Sequence, residues 1–391
     1  MRAGIVCLIL GYVLSQFYRA FLAVLTPVLT AELGATAEDL AAASGLWFLA
    51  FALMQIPVGE ALDRIGPRRT TAVLLVIGGA GGAAVFATAG GPGGIKLAMV
   101  LIGIGCAPVL MASYYIFARV YPPAVFGTLA GAVIGFGSLG NIASSLPLSV
   151  VVDLIGWRGA LWAMGALTLV VAAAIALVVR DPERAEGTGK GSVLDVLRIP
   201  ALWPVLAIMT VAYAPAAGVR GLWTGPYYTD VFGADATAIG RATLAMGVAM
   251  VLGNFAYGPL DRMLGTRKWL VFGGNALMML CLTGLFLWPD AGGWVTLALL
   301  CGVGLFGSSF PMVVAHGRAF VPPHLVGRGV TLINLFGIGS TGLLQIVTGR
   351  LYGALADPAQ APAAYAGLFG FYAILVALGL AIYLWSRDSL K

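Results

Sequence analysis

Twelve long apolar runs alternate with short polar segments along the 391-residue chain. A helix needs about 20 apolar residues to cross the hydrocarbon core of a bilayer, whereas a barrel strand needs only about ten alternating residues. The pattern therefore predicts an all-α integral membrane protein with twelve transmembrane helices. The predicted spans are 4–28, 40–60, 70–90, 95–118, 125–150, 158–179, 200–228, 238–258, 268–288, 294–318, 327–352 and 363–386.

The composition agrees with a lipid solvent. Hydrophobic residues make up 60% of the chain and charged residues 10%, against roughly 25% charged residues in an ordinary soluble domain. The 55 glycines predict close packing of helix backbones. The four cysteines lie in apolar runs without CxxC spacing, which argues against a disulfide framework or a zinc site.

The net charge of +6 follows membrane topology. Most Lys and Arg residues fall in loops on one side of the predicted bundle, together with both termini, and an excess of cations marks the cytoplasmic side. We expect a multi-pass protein of a bacterial inner membrane with both termini in the cytoplasm. The charge then requires no nucleic-acid partner.

Two segments of the first half recur in the second half. GEALDRIGPRR at 59–69 returns as GPLDRMLGTRK at 258–268, and the segment 121–140 returns as 321–340. The offset of about 200 residues predicts two six-helix bundles, 1–180 and 199–391, joined by a polar cytoplasmic linker at 181–198. Such a duplication is typical of transporters with a binding site near the bilayer midplane between the repeats.

Arg19 and Arg220 are the candidate binding residues with the strongest physical argument. Both lie inside predicted spans, at an offset of 201 residues, while every carboxylate of the chain lies in a loop or at a span end. An arginine inside the membrane is costly and marks a functional site by default. A guanidinium can bind carboxylate, phosphate or carbonyl oxygens, although each arginine could instead extend to the interface.

Aromatic and amide side chains accompany the two arginines. Tyr12, Gln16 and Arg19 share one helix face, which suits a planar solute. The remaining candidate substrate contacts are Tyr18, Tyr114, Tyr115 and Tyr213.

Sulfur ligands for Cu(I) are a second possibility, because thioethers and thiolates select soft metals. Methionine is also common as core filler. The candidate metal ligands are Met246, Met250, Met278, Cys106 and His316.

The repeated loops resemble the signature loop of the major facilitator superfamily, which has a glycine, an Asp-Arg pair and a basic cluster between the second and third helices. The resemblance implies alternating access, in which the two halves rock and these loops gate the cytoplasmic face. The implied gating residues are Asp63, Arg64, Arg68, Arg69, Asp261, Arg262 and Arg267.

Three further runs, 15–29, 43–70 and 220–233, are similar to the CcoA-like transporters, a bacterial branch that contains copper importers and riboflavin importers. The copper importers carry Met-x3-Met and His-x3-Met. Met246 and Met250 match the first motif, but the second is absent from the chain.

We therefore expect a monomeric importer of riboflavin or another oxygen-rich organic solute, with a copper importer and an organic anion exchanger as alternatives. We expect neither a cofactor nor enzymatic activity, since the spans hold no catalytic cluster.

Overall fold

The computed structural model describes the backbone of residues 2–121, 123–182, 193–322, 325–357 and 360–388. It describes the side chains of the same residues except 2, 123–128, 193, 194, 262, 326 and 327. The chain folds into two compact units, Met1–Thr188 and Gly189–Lys391. Each unit is built from long apolar helices.

The first unit contains six spans, several of them interrupted. Regular helix breaks at Phe21 in the first span, at Ala107 in the fourth and at residues 144–145 in the fifth, and the third span contains a π-helical segment, Leu75–Ala80. The helices of these spans are Arg2–Ala20 with Leu22–Leu33, Ala37–Arg64, Pro67–Leu74 with Gly81–Ala87, Pro92–Cys106 with Pro108–Val120, Pro123–Ala143 and Leu146–Val178.

Leu146–Val178 belongs to two spans rather than one. Gly156 has φ 73° and ψ 162°, outside the helical region, so the chain turns there. Residues 146–155 therefore continue the fifth span, and 157–178 form the sixth. Only glycine adopts this positive φ readily.

The second unit follows a short helix, Val193–Leu197, and also contains six spans. Its seventh span carries a π-helical segment, Val219–Trp223. The spans are Pro200–Phe232, Ala236–Leu264, Arg267–Leu287, Gly293–Arg318, Val326–Leu355 and Ala361–Tyr383.

The prediction of a twelve-helix membrane protein is confirmed. Eleven helical stretches in the described ranges are long and apolar enough to cross a membrane. The predicted fifth span corresponds to Pro123–Ala143 and its continuation beyond Ser145. The predicted boundaries are less accurate, since the first helix continues to Leu33 and the seventh to Phe232.

The turns that follow the first and seventh spans are related by the repeat. Gly34 and Gly233 end these spans in the left-handed conformation, with φ 63° and 60°. Two residues later, Thr36 and Asp235 begin the next helices by accepting hydrogen bonds from the backbone N–H groups of Asp39 and Ala238. Such caps satisfy helix N–H groups that have no intrahelical partner.

Glycines bring helix backbones into direct contact in both units. A Cβ atom on Gly140 of the fifth span would lie 1.9 Å from the carbonyl oxygen of Val13 in the first span. A Cβ on Gly253 of the eighth span would lie 2.2 Å from the carbonyl oxygen of Leu305 in the tenth. The helices thus approach as closely as expected for membrane helices that pack through small residues.

Candidate functional site

Arg19 lies near the middle of the first span, just before the break at Phe21, and is partly exposed. Its guanidinium carbon lies 5.3 Å from the ring centroid of Trp47, 5.8 Å from that of Phe48 and 5.4 Å from that of Phe51, all on the second span. Such distances allow cation–π attraction, which is stronger away from water. The aromatic rings of the second span therefore help to stabilise this charge inside the first unit.

Arg220 occupies the equivalent place in the second unit and is only 3% exposed. It lies in the π-helical segment Val219–Trp223, and its Nε donates to the carbonyl oxygen of Thr243 on the eighth span at 3.2 Å. A Cβ atom on Gly247 would lie 3.0 Å from that Nε. The glycine therefore leaves room for the guanidinium against the backbone of the eighth span.

A tyrosine seven residues before each arginine extends the symmetry. Tyr12 and Tyr213 differ by 201 positions, the same offset as Arg19 and Arg220. The hydroxyl of Tyr12 accepts a hydrogen bond from Gln16 Nε2 at 3.2 Å, and it interacts electrostatically with Tyr114. Three of the predicted contacts of the first unit, Gln16, Tyr12 and Tyr114, thus lie along one chain of neighbours.

Tyr213 interacts electrostatically with Arg220, and its ring packs edge-on against Phe310 with centroids 5.0 Å apart. The spacing Tyr-x6-Arg therefore recurs in both units, and in the second unit its two residues interact. The sequence already contained this second correspondence in its 201-residue offset.

Tyr18 lies away from this arrangement. It is fully buried, and its hydroxyl pairs with Thr168 Oγ1 of the sixth span at 3.0 Å. Neighbouring residues on a helix point in directions about 100° apart, so Tyr18 faces the helix bundle while Arg19 faces the second span. Its position favours a packing role.

Tyr115 lies on the fourth span, next to the Asp63 carboxylate at the end of the second span. Its ring lies 3.4 Å from the guanidinium carbon of Arg119, and Arg119 Nη2 approaches Asp63 Oδ1 at 3.4 Å. Tyr115 also interacts electrostatically with Asp63. The fourth span thus holds the Asp63 carboxylate through an arginine and a tyrosine.

The rest of this loop is held by Asp181, which the sequence analysis did not single out. Asp181 Oδ1 accepts from the backbone N–H of Arg68 at 2.7 Å, and Arg68 Nε lies 3.8 Å from Oδ2. Arg64 pairs with Glu60 on its own helix at 2.9 Å, and Arg69 is exposed. Asp181 therefore ties the end of the sixth span to the start of the third.

The second unit repeats this contact. Asp388 accepts a hydrogen bond from Thr266 Oγ1, and its Oδ1 accepts from the backbone N–H of Arg267 at 3.2 Å. Arg267 Nε also lies 3.3 Å from Asp261 Oδ2. The side chain of Arg262 lies outside the described residues. The signal in the sequence was an Arg-Asp pair after the last span of each half, at 180–181 and 387–388.

Removing the Asp181 carboxylate should destabilise the first unit. We expect Asp181→Ala to lower the free energy of unfolding by about 1 kcal/mol, because the helix that begins at Pro67 loses an acceptor for its N–H groups. The matched control is Glu60→Ala, which removes an exposed i,i+4 pair worth a few tenths of a kcal/mol, about 0.5 at most. Chemical unfolding of the purified protein in detergent measures both variants, and equal losses would contradict the assignment.

Carboxylates near the C-terminal ends of the first and seventh spans are also held by hydrogen bonds. Glu32 Oε2 accepts from Trp157 Nε1 at 2.9 Å and from Arg158 Nη1 at 2.6 Å. Asp230 Oδ2 accepts from the hydroxyls of Tyr352 at 2.8 Å and Tyr365 at 2.5 Å. The first and seventh spans, which carry Arg19 and Arg220, are therefore each anchored to their own unit at this end.

The candidate metal ligands have packing roles. A Cβ on Gly304 would meet the Cγ atoms of Met246 and Met250 at 3.1 Å, and a Cβ on Gly307 would meet Met278 Sδ at 2.8 Å. His316 Nδ1 pairs with the Tyr383 hydroxyl at 2.5 Å and Nε2 with the carbonyl oxygen of Arg387 at 2.9 Å. Both imidazole nitrogens therefore have protein partners.

Cys106 is buried in the first unit, whereas the other four candidates belong to the second. Among the residues that the structure describes, no group of three or more His, Cys, Asp and Glu side chains could hold a metal ion.

Each unit contains six spans and an arginine inside its first span, and such a duplicated arrangement is typical of secondary transporters. The sequence model of the Major Facilitator Superfamily matches residues 8–337, and the chain belongs to this superfamily. It is a multi-pass membrane protein, and its membership of this superfamily supports transport of small solutes.

The known proteins that resemble this chain support its fold more strongly than they support any particular solute. A probable sulfoacetate transporter, SauU, from Cupriavidus necator is 28% identical over 172 residues, covering 43% of this chain. The match spans 39% of the length of that relative.

Three solved structures have similar folds. A D-xylose-proton symporter has a TM-score of 0.79 at 15% identity, covering 100% of this chain and 98% of that one. A bacterial homologue of the human lysosomal transporter Spinster, inward-facing and occupied, has a TM-score of 0.77 at 17% identity. This match covers 98% of this chain and 96% of that one. The nucleoside transporter NupG has a TM-score of 0.76 at 13% identity, and the match covers 98% of this chain and 99% of that one. At these identities the similarity concerns the fold alone.

Proposed function

We propose that this transporter imports a small organic anion, with Arg19 and Arg220 as the candidate guanidinium partners for its carboxylate or sulfonate group. The observation that carries the proposal is the pair of mid-span arginines at repeat-related positions, combined with carboxylates that lie only in loops and at span ends. Guanidinium groups form short, charge-assisted hydrogen bonds with such anions. The partial similarity to a probable sulfoacetate transporter supports the same class of solute.

The loop residues have a role in the conformational cycle under this proposal. Asp63, Arg119 and Tyr115 tie the second span to the fourth, while Asp181 and Asp388 hold the starts of the third and ninth spans. We place these loops on the cytoplasmic side of a bacterial inner membrane, because the cations of the chain concentrate there.

A flat, oxygen-rich solute such as riboflavin is the second candidate. The three rings around Arg19 and the hydroxyls of Tyr12 and Tyr114 favour it, since aromatic faces stack on flat rings. Copper has the weakest support, because both nitrogens of His316 are bonded and two arginines repel a cation.

Uptake into proteoliposomes distinguishes these solutes. We expect saturable uptake of radiolabelled sulfoacetate, or of a small dicarboxylate that competes with sulfoacetate for uptake. Uptake of riboflavin or Cu(I) should be small. Arg19→Met should abolish the uptake while the protein still elutes as a single folded species. Uptake of riboflavin or copper without any uptake of anions would overturn the proposal. Growth rescue of strains that lack riboflavin or copper uptake provides the same comparison in cells.

A further inference from the structure

A lateral cavity in the second unit has no part in the proposed transport mechanism. Its volume is about 310 Å³, at the lower end of the range of ligand pockets. Its walls come from the eighth and ninth spans and its floor from the tenth. The lining residues are Gly253, Ala256, Tyr257, Leu260, Leu264, Trp269, Leu270, Gly273, Gly274, Leu277, Leu305 and Phe306.

The cavity is almost wholly apolar. Its hydroxyl, on Tyr257, donates to the carbonyl oxygen of Phe306 at 2.7 Å and is therefore satisfied within the protein. Leu264, Trp269 and Leu277 are 55%, 53% and 44% exposed, so the cavity opens outward along its length. An open groove without unsatisfied polar groups favours a hydrocarbon ligand over a polar one.

Two glycines shape the wall on the ninth span. A Cβ on Gly274 would lie 1.8 Å from the Tyr257 hydroxyl oxygen, whereas a Cβ on Gly273 would meet no atom within 4 Å. Gly274 therefore permits close packing, and Gly273 leaves space in the groove itself. These different roles allow the groove to be filled without disturbing the helix packing.

The groove is specific to the second unit at the level of sequence. Gly265 aligns with Gly66 in the repeated loop. In the same alignment, Trp269, Gly273 and Gly274 correspond to Thr70, Leu74 and Leu75 of the first half. Leucine side chains in the first half thus replace the two glycines of the groove wall. The duplicated fold does not itself require this groove.

Positive charge lies at the end of the groove near the Asp261 loop. Lys268 Nζ is 5.2 Å from the ring centroid of Trp269 and donates to the carbonyl oxygen of Leu384 at 2.7 Å. These residues belong to the first turn of the ninth span, where tryptophan and lysine side chains meet lipid headgroups. An ammonium has three donors, so Lys268 can also bind a phosphate.

We propose that this groove binds a phospholipid, with one acyl chain against Gly273 and Leu277 and the headgroup phosphate beside Lys268. The stretch from Trp269 to Leu277 covers about 12 Å along the helix axis, which suits the upper part of an acyl chain. Basic positions between membrane helices are known to bind anionic headgroups. The charge at the end of the groove favours an anionic lipid over a second copy of the protein.

Native mass spectrometry of the purified full chain, titrated with phosphatidylglycerol, tests the proposal. Wild-type protein should retain one tightly bound phosphatidylglycerol, and Gly273→Leu should weaken its binding at least about tenfold. Leu277→Gln, which places an amide in the apolar lining of the groove, should weaken it similarly. The control is Gly258→Leu, whose Cβ also meets nothing within 4 Å but which lies outside the groove, and it should bind like the wild type.

The headgroup contact has its own readout. Lys268→Gln should remove most of the preference for phosphatidylglycerol over phosphatidylethanolamine, and soluble glycerol phosphate should not compete because it lacks an acyl chain. Unchanged lipid binding in both Gly273→Leu and Leu277→Gln would overturn the proposal. A concentration-dependent dimer of the wild type that Gly273→Leu abolishes, with lipid binding unaltered, would also overturn it in favour of a second copy.

Discussion

Arg220→Lys should raise the KM for the transported anion by about 100-fold. The Nε of Arg220 is engaged by Thr243, so the planar guanidinium is oriented within its own unit. A lysine keeps the charge but loses the fork that binds two oxygens in parallel. Hydrogen bonds to charged groups contribute about 1.5–3 kcal/mol, and about 2.8 kcal/mol corresponds to two factors of ten in affinity.

The control for this prediction is Arg241→Lys. Arg241 is an exposed arginine of the eighth span, so its substitution by lysine makes the same chemical change outside the candidate site. Initial rates of uptake over a range of anion concentrations give KM for wild type and both variants, and thermal unfolding in detergent reports folding. A KM within twofold of wild type for a folded Arg220→Lys protein would remove Arg220 from the binding site.

The two arginines are held differently despite their symmetry. Arg19 is surrounded by rings of Trp47, Phe48 and Phe51, whereas Arg220 is buried against the backbone beside Gly247. The arginine and the tyrosine seven residues before it are thus the same in both halves of the repeat. The helices that contact the arginines, the second and the eighth span, differ in the groups that they present. The two arginines therefore differ in their surroundings although their positions in the repeat correspond.

The spans could be predicted because lipid imposes a simple rule on the sequence. Backbone groups inside the hydrocarbon must hydrogen-bond within their own helix, so a long apolar run predicts a span. The interruptions at Phe21 and at Val219–Trp223 could not be read in this way, since neither contains a proline and both are apolar apart from Arg220. Neighbouring helices and side chains decide such local geometry.

The site could be predicted only in part. Arg19 is a candidate because it lies inside a span, and Tyr12 and Gln16 join it because they share its helix face. The face that each other aromatic residue occupies depends on which helices surround it. Tyr18 consequently packs against Thr168, and Tyr115 joins Asp63. Asp181 was missed because its partner is a backbone N–H group 113 residues earlier, and the Arg-Asp pair at 180–181 does not by itself identify that partner.

Gly105→Ala should prevent stable folding of the first unit. A Cβ at this position would lie 2.1 Å from the backbone nitrogen of Gly79 and 2.6 Å from the carbonyl carbon of Gly78. The obstacle is backbone in the third span, so no rotamer change relieves it, and the third and fourth spans must separate. We expect a destabilisation of about 3 kcal/mol or more, at the upper end of the cost of overpacking.

The separation would also disturb contacts beyond Gly105. Gly78 faces the backbone of Leu101 and Gly105, and Gly103 on another side of the fourth span packs on the carbonyl oxygen of Trp47. Moving the fourth span outward therefore strains its packing on the second span, whose Trp47 ring supports Arg19. Size-exclusion chromatography and thermal unfolding in detergent should show aggregation or a strongly lowered melting temperature for Gly105→Ala. Gly131→Ala, whose Cβ meets no atom within 4 Å, should behave like the wild type, and similar behaviour of both variants would show that the helices can separate at little cost.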